Sequence, residues 1–570
     1  TKTYAMVAAS LLSITLVPVL IWYLVRGRIR PENSNPVNRA AAAAYKPFLQ
    51  VALRYPWAVT AGAVLLVVVT LWPASRLGTE FMPELDEGDL LYMPTTLPGL
   101  STDAARSLLQ QTDRLIKTVP EVERVFGKAG RAESATDPAP IEMFETTIML
   151  KPRDQWRAGM TPEKLKAELD ALVKFPGVSN AWGYPIKTRI DMLATGIRTP
   201  VGIKIMGPDL ATIQQLGQKI ETIVKAVPGT TSVYAERTAT GRYVDIDIDR
   251  VAAGRYGLNI KDVQDIVGSA VGGMTVSYTV EGLERYPINL RYPQEFRDSL
   301  EKLRQLPIVA PTGANVTLQD VARVDIADGP GMIRSENARP SGWVFVDIQG
   351  RDLGGYVDEA KARIADELTL PAGYSLSWSG QYEYLQRAVE RLQLVVPLTL
   401  GIIVLLLYLN FRNARDVGLI LFTLPFALVG GVWLLYFLDY DLSIAAVVGF
   451  IALAGVAAET GVVMVMYLEH SWAERRARAA AENREPTRRE LREAIVDGAL
   501  LRLRPKLMTV ITIIVGLLPI MWGSGTGAAV MRRIAAPMVG GMVSATVLTL
   551  VIIPSLYLLL NGWKLRDEQG

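Results

Sequence analysis

Residues 444–467 read IAAVVGFIALAGVAAETGVVMVMY, an apolar run that contains one charged residue, Glu459. A run of about 20 apolar residues is long enough to cross a lipid bilayer as a helix. A carboxylate at bilayer depth costs roughly 2.5–3.5 kcal/mol on insertion scales, and such residues usually mark an ion or proton path. This stretch therefore predicts a membrane-spanning helix with a functional acid inside it.

Similar apolar runs occur towards both ends of the 570-residue chain, whereas the middle has the composition of an ordinary soluble protein. Each run is close to the length that a spanning helix needs. The runs cover residues 5–25, 57–73, 392–409, 417–437, 444–467, 506–522 and 534–560. This number of runs, separated by Arg-rich connections, favours an integral membrane protein over a soluble protein with buried core helices.

Composition narrows the chemistry that the chain can perform. It contains no Cys and a single His, His470, beside 17 Met, and its formal net charge is +3. Without Cys it cannot form a disulfide, a thiolate zinc site, an iron–sulfur cluster or a thiol nucleophile. A multi-histidine metal site or a catalytic triad would depend on His470 alone. The small net charge predicts no nucleic-acid partner, and a catalytic enzyme is the least favoured class.

The basic residues in the short connections predict the orientation, because Lys and Arg concentrate on the cytoplasmic side of membrane proteins. They fall on one side if the runs alternate across the membrane. They are Arg26, Arg28, Arg30, Arg39, Arg412, Arg415, Arg475, Arg476, Arg478, Arg484, Arg488, Arg489, Arg492, Lys564 and Arg566. Residues 74–390 are then expected outside the cytoplasm, in a bacterial periplasm. Residues 26–56 are predicted to form an amphipathic helix on the cytoplasmic surface of the inner membrane.

The extramembrane block repeats a strand–helix–strand pattern. The predicted units cover residues 90–94, 101–118 and 122–126, then 201–206, 209–226 and 232–236, then 343–349, 355–368 and 374–379. Proline soon after the first two helices, at Pro120 and Pro228, cannot continue them. We therefore expect an α-helical membrane bundle plus α+β subdomains built as repeated ferredoxin-like sandwiches.

Three motifs resemble a known family. The stretches PELDEGDLLYMP (83–94), RIDML (189–193) followed by TGI (195–197), and GVAAE (455–459) are similar to the heavy-metal efflux branch of the resistance–nodulation–division (RND) transporters. The likeness runs over essentially the whole chain and is greatest to the copper- and silver-exporting members. The resemblance implies a homotrimer that exports Cu(I) or Ag(I) in exchange for protons and works with a periplasmic adaptor and an outer-membrane channel. It also implies that a first half of the polypeptide, with its own spans, is missing here.

The resemblance and the hydropathy pattern together give a domain plan. In the membrane, it assigns spans to 1–25 and 57–73, a surface helix to 26–56, and a five-span bundle to 391–570 with an Arg-rich cytoplasmic loop at 469–504. Outside the membrane, it assigns a first porter subdomain to 74–195 and a second to 196–241 with a return part at 336–390. An inserted docking subdomain covers 242–335.

Glu459 and Lys506 are the candidate proton relay. Burial at bilayer depth would let Glu459 load and release protons, and Lys506, which opens the next apolar run, could pair with it across the bundle. Lys506 could equally anchor the cytoplasmic end of its span, and Glu459 could cap a neighbouring helix. The family resemblance favours the relay, since the matching Glu and Lys of the RND metal pumps act in this way.

Methionines are the candidate metal ligands, because a thioether is soft, neutral and suited to Cu(I) or Ag(I) rather than Zn(II). Most methionines fill hydrophobic cores. Met143 and Met192 lie in contexts that resemble the cleft methionines of the family, IEM (141–143) and RIDM (189–192). The resemblance implies a third cleft methionine, which no motif identifies; Met206 and Met274 are weak substitutes.

Two further groups of residues lie outside these contexts. Met531, which precedes two arginines, resembles one rung of the methionine ladder that leads ions from the membrane to the cleft in the family. Met82 and Met93 flank an acidic cluster at residues 84–89, which we interpret as setting the geometry of its loop or attracting cations generally rather than binding one ion. No permanently bound cofactor is expected, since Cu(I) or Ag(I) would be the transported substrate.

Two alternatives remain open from the sequence. The chain could belong to an exporter of divalent Zn, Co or Ni, although its extramembrane block has no His. It could also be a membrane assembly or accessory protein whose extramembrane subdomains bind partners without transporting ions.

Overall fold

The computed structural model describes residues 2–24, 36–130, 140–563 and 565. The chain divides into two compact units, one formed by Thr1–Glu84 with Val389–Gly570 and the other by Leu85–Ala388. Five of the basic residues that predicted the orientation lie outside the described residues: Arg26, Arg28, Arg30, Lys564 and Arg566. The sequence-based plan placed the borders of the extramembrane block at 74 and 390, close to those of the second unit.

The helices of the described residues, in chain order, are α1 Lys2–Leu24, α2 Pro36–Arg54, α3 Pro56–Ala74, α4 Thr102–Lys117, α5 Pro162–Leu172, α6 Pro185–Thr195, α7 Leu210–Lys225, α8 Arg250–Arg255, α9 Ile260–Val267, α10 Leu300–Arg304, α11 Leu318–Val321, α12 Leu353–Glu367, α13 Gln381–Phe411, α14 Ala414–Phe437, α15 Ile444–Ala481, α16 Arg488–Trp522 and α17 Ala528–Gly562.

The strands are β1 Leu90–Tyr92, β2 Thr95–Thr96, β3 Val122–Ala129, β4 Phe144–Leu150, β5 Val178–Ser179, β6 Trp182–Gly183, β7 Val201–Met206, β8 Thr230–Ala235, β9 Gly241–Ile248, β10 Met274–Glu281, β11 Glu284–Leu290, β12 Pro307–Val309, β13 Asn315–Thr317, β14 Ala322–Gly329, β15 Arg334–Glu336, β16 Arg339–Ile348 and β17 Ser375–Gly380.

Each apolar run of the sequence coincides with a helix. Within the described residues, α1, α3, α13, α14, α15 and α16 are each long and apolar enough to cross a membrane. The last run corresponds to α17, whose two segments, Ala528–Val547 and Thr549–Gly562, meet at an angle of 42°. The prediction of an α-helical membrane unit is therefore confirmed by length and composition.

The Arg-rich segment 469–504, expected as a cytoplasmic loop, is mostly helical. Helix α15 continues to Ala481 and α16 begins at Arg488, so only a short connection separates them. A capping box starts α16: the Glu490 backbone N–H donates to Thr487 Oγ1 at 3.3 Å, and the Thr487 N–H donates to the Glu490 carboxylate at 2.9 Å. Such reciprocal bonds satisfy N–H groups that a helix start otherwise leaves unpaired.

Helix α2 lies within residues 26–56, where the sequence predicts an amphipathic helix. Its inner face is buried in the core of the first unit through Tyr45, Leu49 and Leu53. Its outer face exposes Phe48 and Val51, which are 71% and 60% accessible. A helix with one apolar side packed on protein and another open suits a position in the plane of the membrane interface.

The second unit contains two sandwiches with the same strand order. In the first, the antiparallel sheet β3-β4-β1-β6 packs against α4 and α5. In the second, the antiparallel sheet β8-β16-β7-β17 packs against α7 and α12, and β15 extends it along β16. The third strand–helix–strand unit of the sequence therefore completes the second sheet rather than forming a sandwich of its own.

Local signals explain where the helices of this unit begin. Ser101 caps α4 by accepting a hydrogen bond from the Ala104 N–H at 3.2 Å, and Asp209 caps α7 through the Thr212 N–H at 2.7 Å. The segment that follows β8 has its own core, in which β9 pairs along its length with β14. This core is separate from those of the two sandwiches.

Candidate functional site: a methionine cluster and a buried lysine

Three methionines, Met93, Met143 and Met192, come together in one small hydrophobic cluster with Leu91 and Ala181. We call these three residues the methionine cluster. Met93 is 2% accessible, whereas Met143 and Met192 are partly buried. Two of the three were predicted as metal ligands. The structure therefore places a third thioether beside them, which the sequence motifs had not identified.

Strand pairing brings the first two methionines together. Met93 directly follows β1, and its N–H donates to the Ala181 carbonyl at 2.8 Å. Met143 directly precedes β4, where the Phe144 N–H donates to the Pro94 carbonyl at 3.1 Å and Thr95 forms a bridge with Met143. The antiparallel pairing of β1 with β4 thus places Met143 opposite Thr95, two residues beyond Met93, so that positions 93 and 143 are diagonal neighbours.

Met192 comes from α6, and the acidic turn at residues 84–89 fixes that helix. The Glu87 carboxylate accepts hydrogen bonds from the backbone N–H groups of Ile186 and Lys187, both at 2.7 Å, in the first turn of α6. An anion is favoured there because the first N–H groups of a helix are unpaired and carry partial positive charge. Gly196, with a φ of 79°, ends the helix by donating to the Met192 carbonyl. Glu87 of the acidic cluster thus has a structural contact at the start of α6.

Arg198 contacts the methionine cluster directly. Its Nη1 lies 3.4 Å from Sδ of Met143, and its Nη2 donates to Thr95 Oγ1 at 2.6 Å. The guanidinium also lies over the Phe345 ring, 4.1 Å from the centroid. Burial lowers the pKa of Arg198 to about 10, so the group still carries its charge at neutral pH. No sequence motif pointed to this residue.

Two carboxylates close in sequence to the cluster are paired with cations. Glu145, two residues after Met143, accepts from Arg189 Nη2 at 3.0 Å and lies 3.3 Å from Lys128 Nζ. Asp191, next to Met192, accepts from Lys187 Nζ at 2.8 Å. These ion pairs occupy two carboxylates beside the cluster, and Glu142, which directly precedes Met143, accepts a hydrogen bond from the Gly99 N–H at 3.3 Å. The three neutral thioethers suit a soft monovalent cation better than a hard divalent one.

The other candidate methionines are not members of the cluster. Met206 ends β7, opposite Ser341 and Ser375 in the second sheet. Met274 begins β10 and is 51% accessible, and Met531 lies near the start of α17 and is 47% accessible. Met206 and Met274 are therefore outside the cluster within the second unit, and Met531 belongs to the first unit.

Lys506 is buried in the membrane unit, with 2% of its surface accessible. Its Nζ donates to Thr460 Oγ1 at 2.8 Å, and that hydroxyl donates in turn to the Val456 carbonyl at 2.8 Å. Glu459, which precedes Thr460 on α15, acts on Lys506 electrostatically, but its side chain lies on the exposed side of the helix in the described unit. The structure thus links α16 to α15 through Thr460, next to the acid.

Residues 1–561 match the AcrB/AcrD/AcrF family along their length. The chain belongs to this family. It is a transporter-type chain rather than a catalytic enzyme, and its relatives place it in the heavy-metal efflux branch of the RND proteins.

The curated relatives include two proteins that are 52% identical to this chain. One is "Cation efflux system protein CusA" of Escherichia coli strain K12, matched over 98% of this chain and 53% of its own length. The other is "Putative cation efflux system protein SilA" of Salmonella typhimurium, matched over 100% of this chain and 54% of its own length. The chain therefore spans about half the length of these relatives.

A more distant relative and a solved structure agree with this placement. "Cobalt-zinc-cadmium resistance protein CzcA" of Cupriavidus metallidurans is 36% identical over 100% of this chain and 53% of its own length. The crystal structure of a heavy metal efflux pump matches with a TM-score of 0.83 at 30% identity, over 93% of this chain and 53% of that one. The fold of the chain is thus that of an RND pump.

Proposed function

We propose that this chain is part of an inner-membrane pump that exports Cu(I) and Ag(I) from the periplasm or cytoplasm in exchange for protons. The single observation that carries the choice of ion is the methionine cluster, in which Met93, Met143 and Met192 pack together. The names of the two 52% identical relatives, both cation efflux system proteins, support an efflux role. Since the chain spans half of their length, the working pump would include a further half that supplies the remaining spans.

The metal would bind by its affinity for thioether sulfur. Soft ligands select Cu(I), and a thioether needs no deprotonation, so ligand protonation would not limit binding in a mildly acidic periplasm. The ion pairs of Glu145 and Asp191 make these two carboxylates poorer competing ligands for a divalent ion. We therefore favour the monovalent ions over the zinc, cobalt and nickel substrates of the wider branch.

Proton exchange would use Glu459 and Lys506. A lysine that is buried among apolar helices is expensive to keep charged, and its hydrogen bond to Thr460 joins it to the helix that carries the acid. A change in the protonation of Glu459 would alter the charge felt by Lys506 and so bias the packing of α15 against α16. Within this proposal, Met531 is a rung on the ion path towards the cluster.

The fold of the second unit supports our proposal that the chain works in a larger pump assembly. Both sheets of the second unit follow the order strand–helix–strand–strand–helix–strand, which is that of ferredoxin-like sandwiches. We assign them as two porter subdomains and residues 242–335 as a docking subdomain, in a homotrimer that would meet a periplasmic adaptor and an outer-membrane channel.

The decisive experiment is titration calorimetry of Ag(I) into the detergent-purified chain, which has no thiol to bind silver nonspecifically. Met93→Ile, Met143→Ile and Met192→Ile should each weaken silver binding by about tenfold or more. Met206→Ile is the matched control, because it removes the same thioether from a strand outside the cluster. Unchanged affinity in all three cluster variants, or displacement of Ag(I) by equimolar Zn(II), would contradict the assignment.

Proton coupling is tested separately in proteoliposomes that contain the complete pump. Glu459→Gln should abolish silver uptake driven by a pH gradient while leaving silver binding unchanged, because the substitution removes the titratable group and keeps its shape. Undiminished uptake would remove Glu459 from the relay without affecting the metal site.

A further inference from the structure

An open cavity of ≈ 590 Å³ lies in the first unit, between the surface helix α2 and the first turns of α16. Nine side chains line it: four cations, two carboxylates, one amide and two apolar groups. These are Lys46, Arg54, Arg475 and Arg492, then Glu493 and Asp497, then Gln50, and finally Leu53 and Val496. The cavity therefore has two positive charges in excess.

Both carboxylates form ion pairs with the same arginine. Arg475 reaches Glu493 Oε2 with Nη1 at 2.7 Å and Asp497 Oδ2 with Nη2 at 2.6 Å. Within the described part of the chain, Lys46, Arg54 and Arg492 make no ion pair with a carboxylate. Three cations thus face one cavity with their charge available to a ligand.

Both sides of the cavity are held in place by packing. Leu49 and Leu53 of α2 lie in the same core as Leu491 and Ile495 of α16. The Tyr45 hydroxyl donates to the Leu550 carbonyl of α17 at 2.7 Å, which fixes the surface helix to the bundle. Because Lys46, Gln50 and Arg54 recur every four residues, they form one polar stripe along α2. The cations are therefore presented on rigid helices rather than on a loop.

The apolar side chains around the cavity indicate that its ligand comes from the lipid interface. The outer side of α2 exposes the apolar Phe48 and Val51, as expected for a helix that lies in the lipid interface. Leu53 and Val496 give the cavity an apolar part beside its cations. Basic pockets at the cytoplasmic side of membrane helices suit the phosphates of anionic lipids.

We propose that this cavity binds the headgroup of an anionic phospholipid from the cytoplasmic leaflet. A headgroup with two phosphodiesters, as in cardiolipin, matches the two excess positive charges. The phosphates contact Lys46, Arg54 and Arg492, and the first acyl carbons lie against Leu53 and Val496. The bound lipid joins α2 to α16 at the membrane surface.

The test is native mass spectrometry of the detergent-purified chain, titrated with cardiolipin, phosphatidylglycerol or phosphatidylcholine. Cardiolipin should bind most tightly and phosphatidylcholine least. The triple variant Lys46→Gln, Arg54→Gln and Arg492→Gln should bind cardiolipin about 100-fold more weakly, since each cation near the surface contributes to lipid attraction. The single variant Arg492→Gln should show a smaller loss in the same direction, which covers the case in which the triple variant misfolds.

The matched control is Arg412→Gln, Arg415→Gln and Arg478→Gln, which removes three exposed arginines outside the cavity. It should bind cardiolipin as the parent chain does. Equal losses in the two triple variants would overturn the site in favour of general surface charge. Displacement of cardiolipin by inorganic phosphate in excess would instead show a site for soluble phosphate and would also overturn the lipid assignment.

Discussion

Arg198 Nη1 lies 3.4 Å from Sδ of Met143, so a charged donor occupies one side of a thioether in the methionine cluster. A metal cation that used this sulfur would compete with the guanidinium for the same lone-pair electrons and would be repelled by its charge. Arg198 is thus a positioning residue that sets how readily Met143 is available to metal.

We expect Arg198→Leu to raise the affinity of the chain for Ag(I) by about tenfold, because it removes one buried positive charge and its hydrogen bond to the sulfur. Leucine keeps apolar contact with the Phe345 ring that the guanidinium covers. Titration calorimetry on the purified chain measures the change. Arg198→Lys retains the charge and should leave the affinity near that of the parent; a loss of affinity in Arg198→Leu would show that Arg198 supports the site instead.

The sequence was sufficient for the spans, the repeated strand–helix–strand units and two of the three clustered methionines. Met93 was interpreted with the acidic turn, because its neighbours in the chain are Asp89 and the strand β1. Its partners, Met143 and Met192, lie 50 and 99 residues further along the chain. Only the pairing of β1 with β4 and the placement of α6 bring them together. The hydrophobic periodicity of a sequence predicts which face of a helix or strand is buried. It does not predict which residues at the ends of different strands and helices come into contact.

Glu459 and Lys506 also show which features the local sequence predicts and which depend on tertiary packing. Hydropathy indicated Glu459 and Lys506, because a charge inside an apolar run is a local signal. Thr460 carried no such signal, although it is the group to which Lys506 donates. The packing of α15 against α16 decides that contact. A sequence-based assignment could therefore identify Glu459 and Lys506 and miss the hydroxyl to which Lys506 donates.

Lys506→Met should stabilise the membrane unit by about 2 kcal/mol, because a buried cation is replaced by an apolar side chain of similar length. Thermal unfolding of the chain in detergent measures this effect. The same variant should abolish proton-coupled silver uptake by the complete pump. Lys506→Arg, which keeps a buried charge, is the control and should not be stabilised. A stability loss in Lys506→Met would mean that the lysine is a structural anchor.

Glu121 predicts a specific dependence of stability on pH in the second unit. Its side chain is fully buried, and Arg157 donates to it with Nε at 2.7 Å and Nη2 at 2.8 Å. These bonds lower the pKa of Glu121 to about 2, below the ordinary value of the unfolded chain. The carboxylate therefore contributes stability that is fully present above the unfolded pKa, and this contribution declines as the pH falls towards about 2.

Glu121→Gln should accordingly cost about 2 kcal/mol at neutral pH, with the difference from the parent shrinking between about pH 5 and pH 2. Arg157 is 42% accessible at its side chain, so water screens part of the interaction and a larger cost is not expected. Denaturant unfolding followed by tryptophan fluorescence gives the comparison. Asp154→Asn removes an exposed carboxylate nearby and should show no such pH dependence. A difference that is constant with pH would argue against the ion pair as its cause.

Gly430 of α14 and Gly540 of α17 lie at a helix crossing that has no room for a larger side chain. A Cβ atom at either position would fall inside van der Waals contact of the other glycine's carbonyl oxygen. Small residues at such crossings let two helix backbones approach closely, which a membrane bundle needs because lipid provides little apolar driving force. Gly430→Ala should therefore force α14 and α17 apart and cost about 1–3 kcal/mol of stability.

Gly418 provides the matched control, since it lies on the same helix and a Cβ atom added there would have nothing within 4 Å of it. Gly418→Ala should leave stability unchanged or raise it by up to about 1 kcal/mol, because alanine favours the helix. Thermal unfolding of both variants in detergent, followed by far-ultraviolet circular dichroism, compares them directly. Equal stability of the two variants would show that α14 and α17 can separate freely, and would remove the close helix crossing as a source of stability.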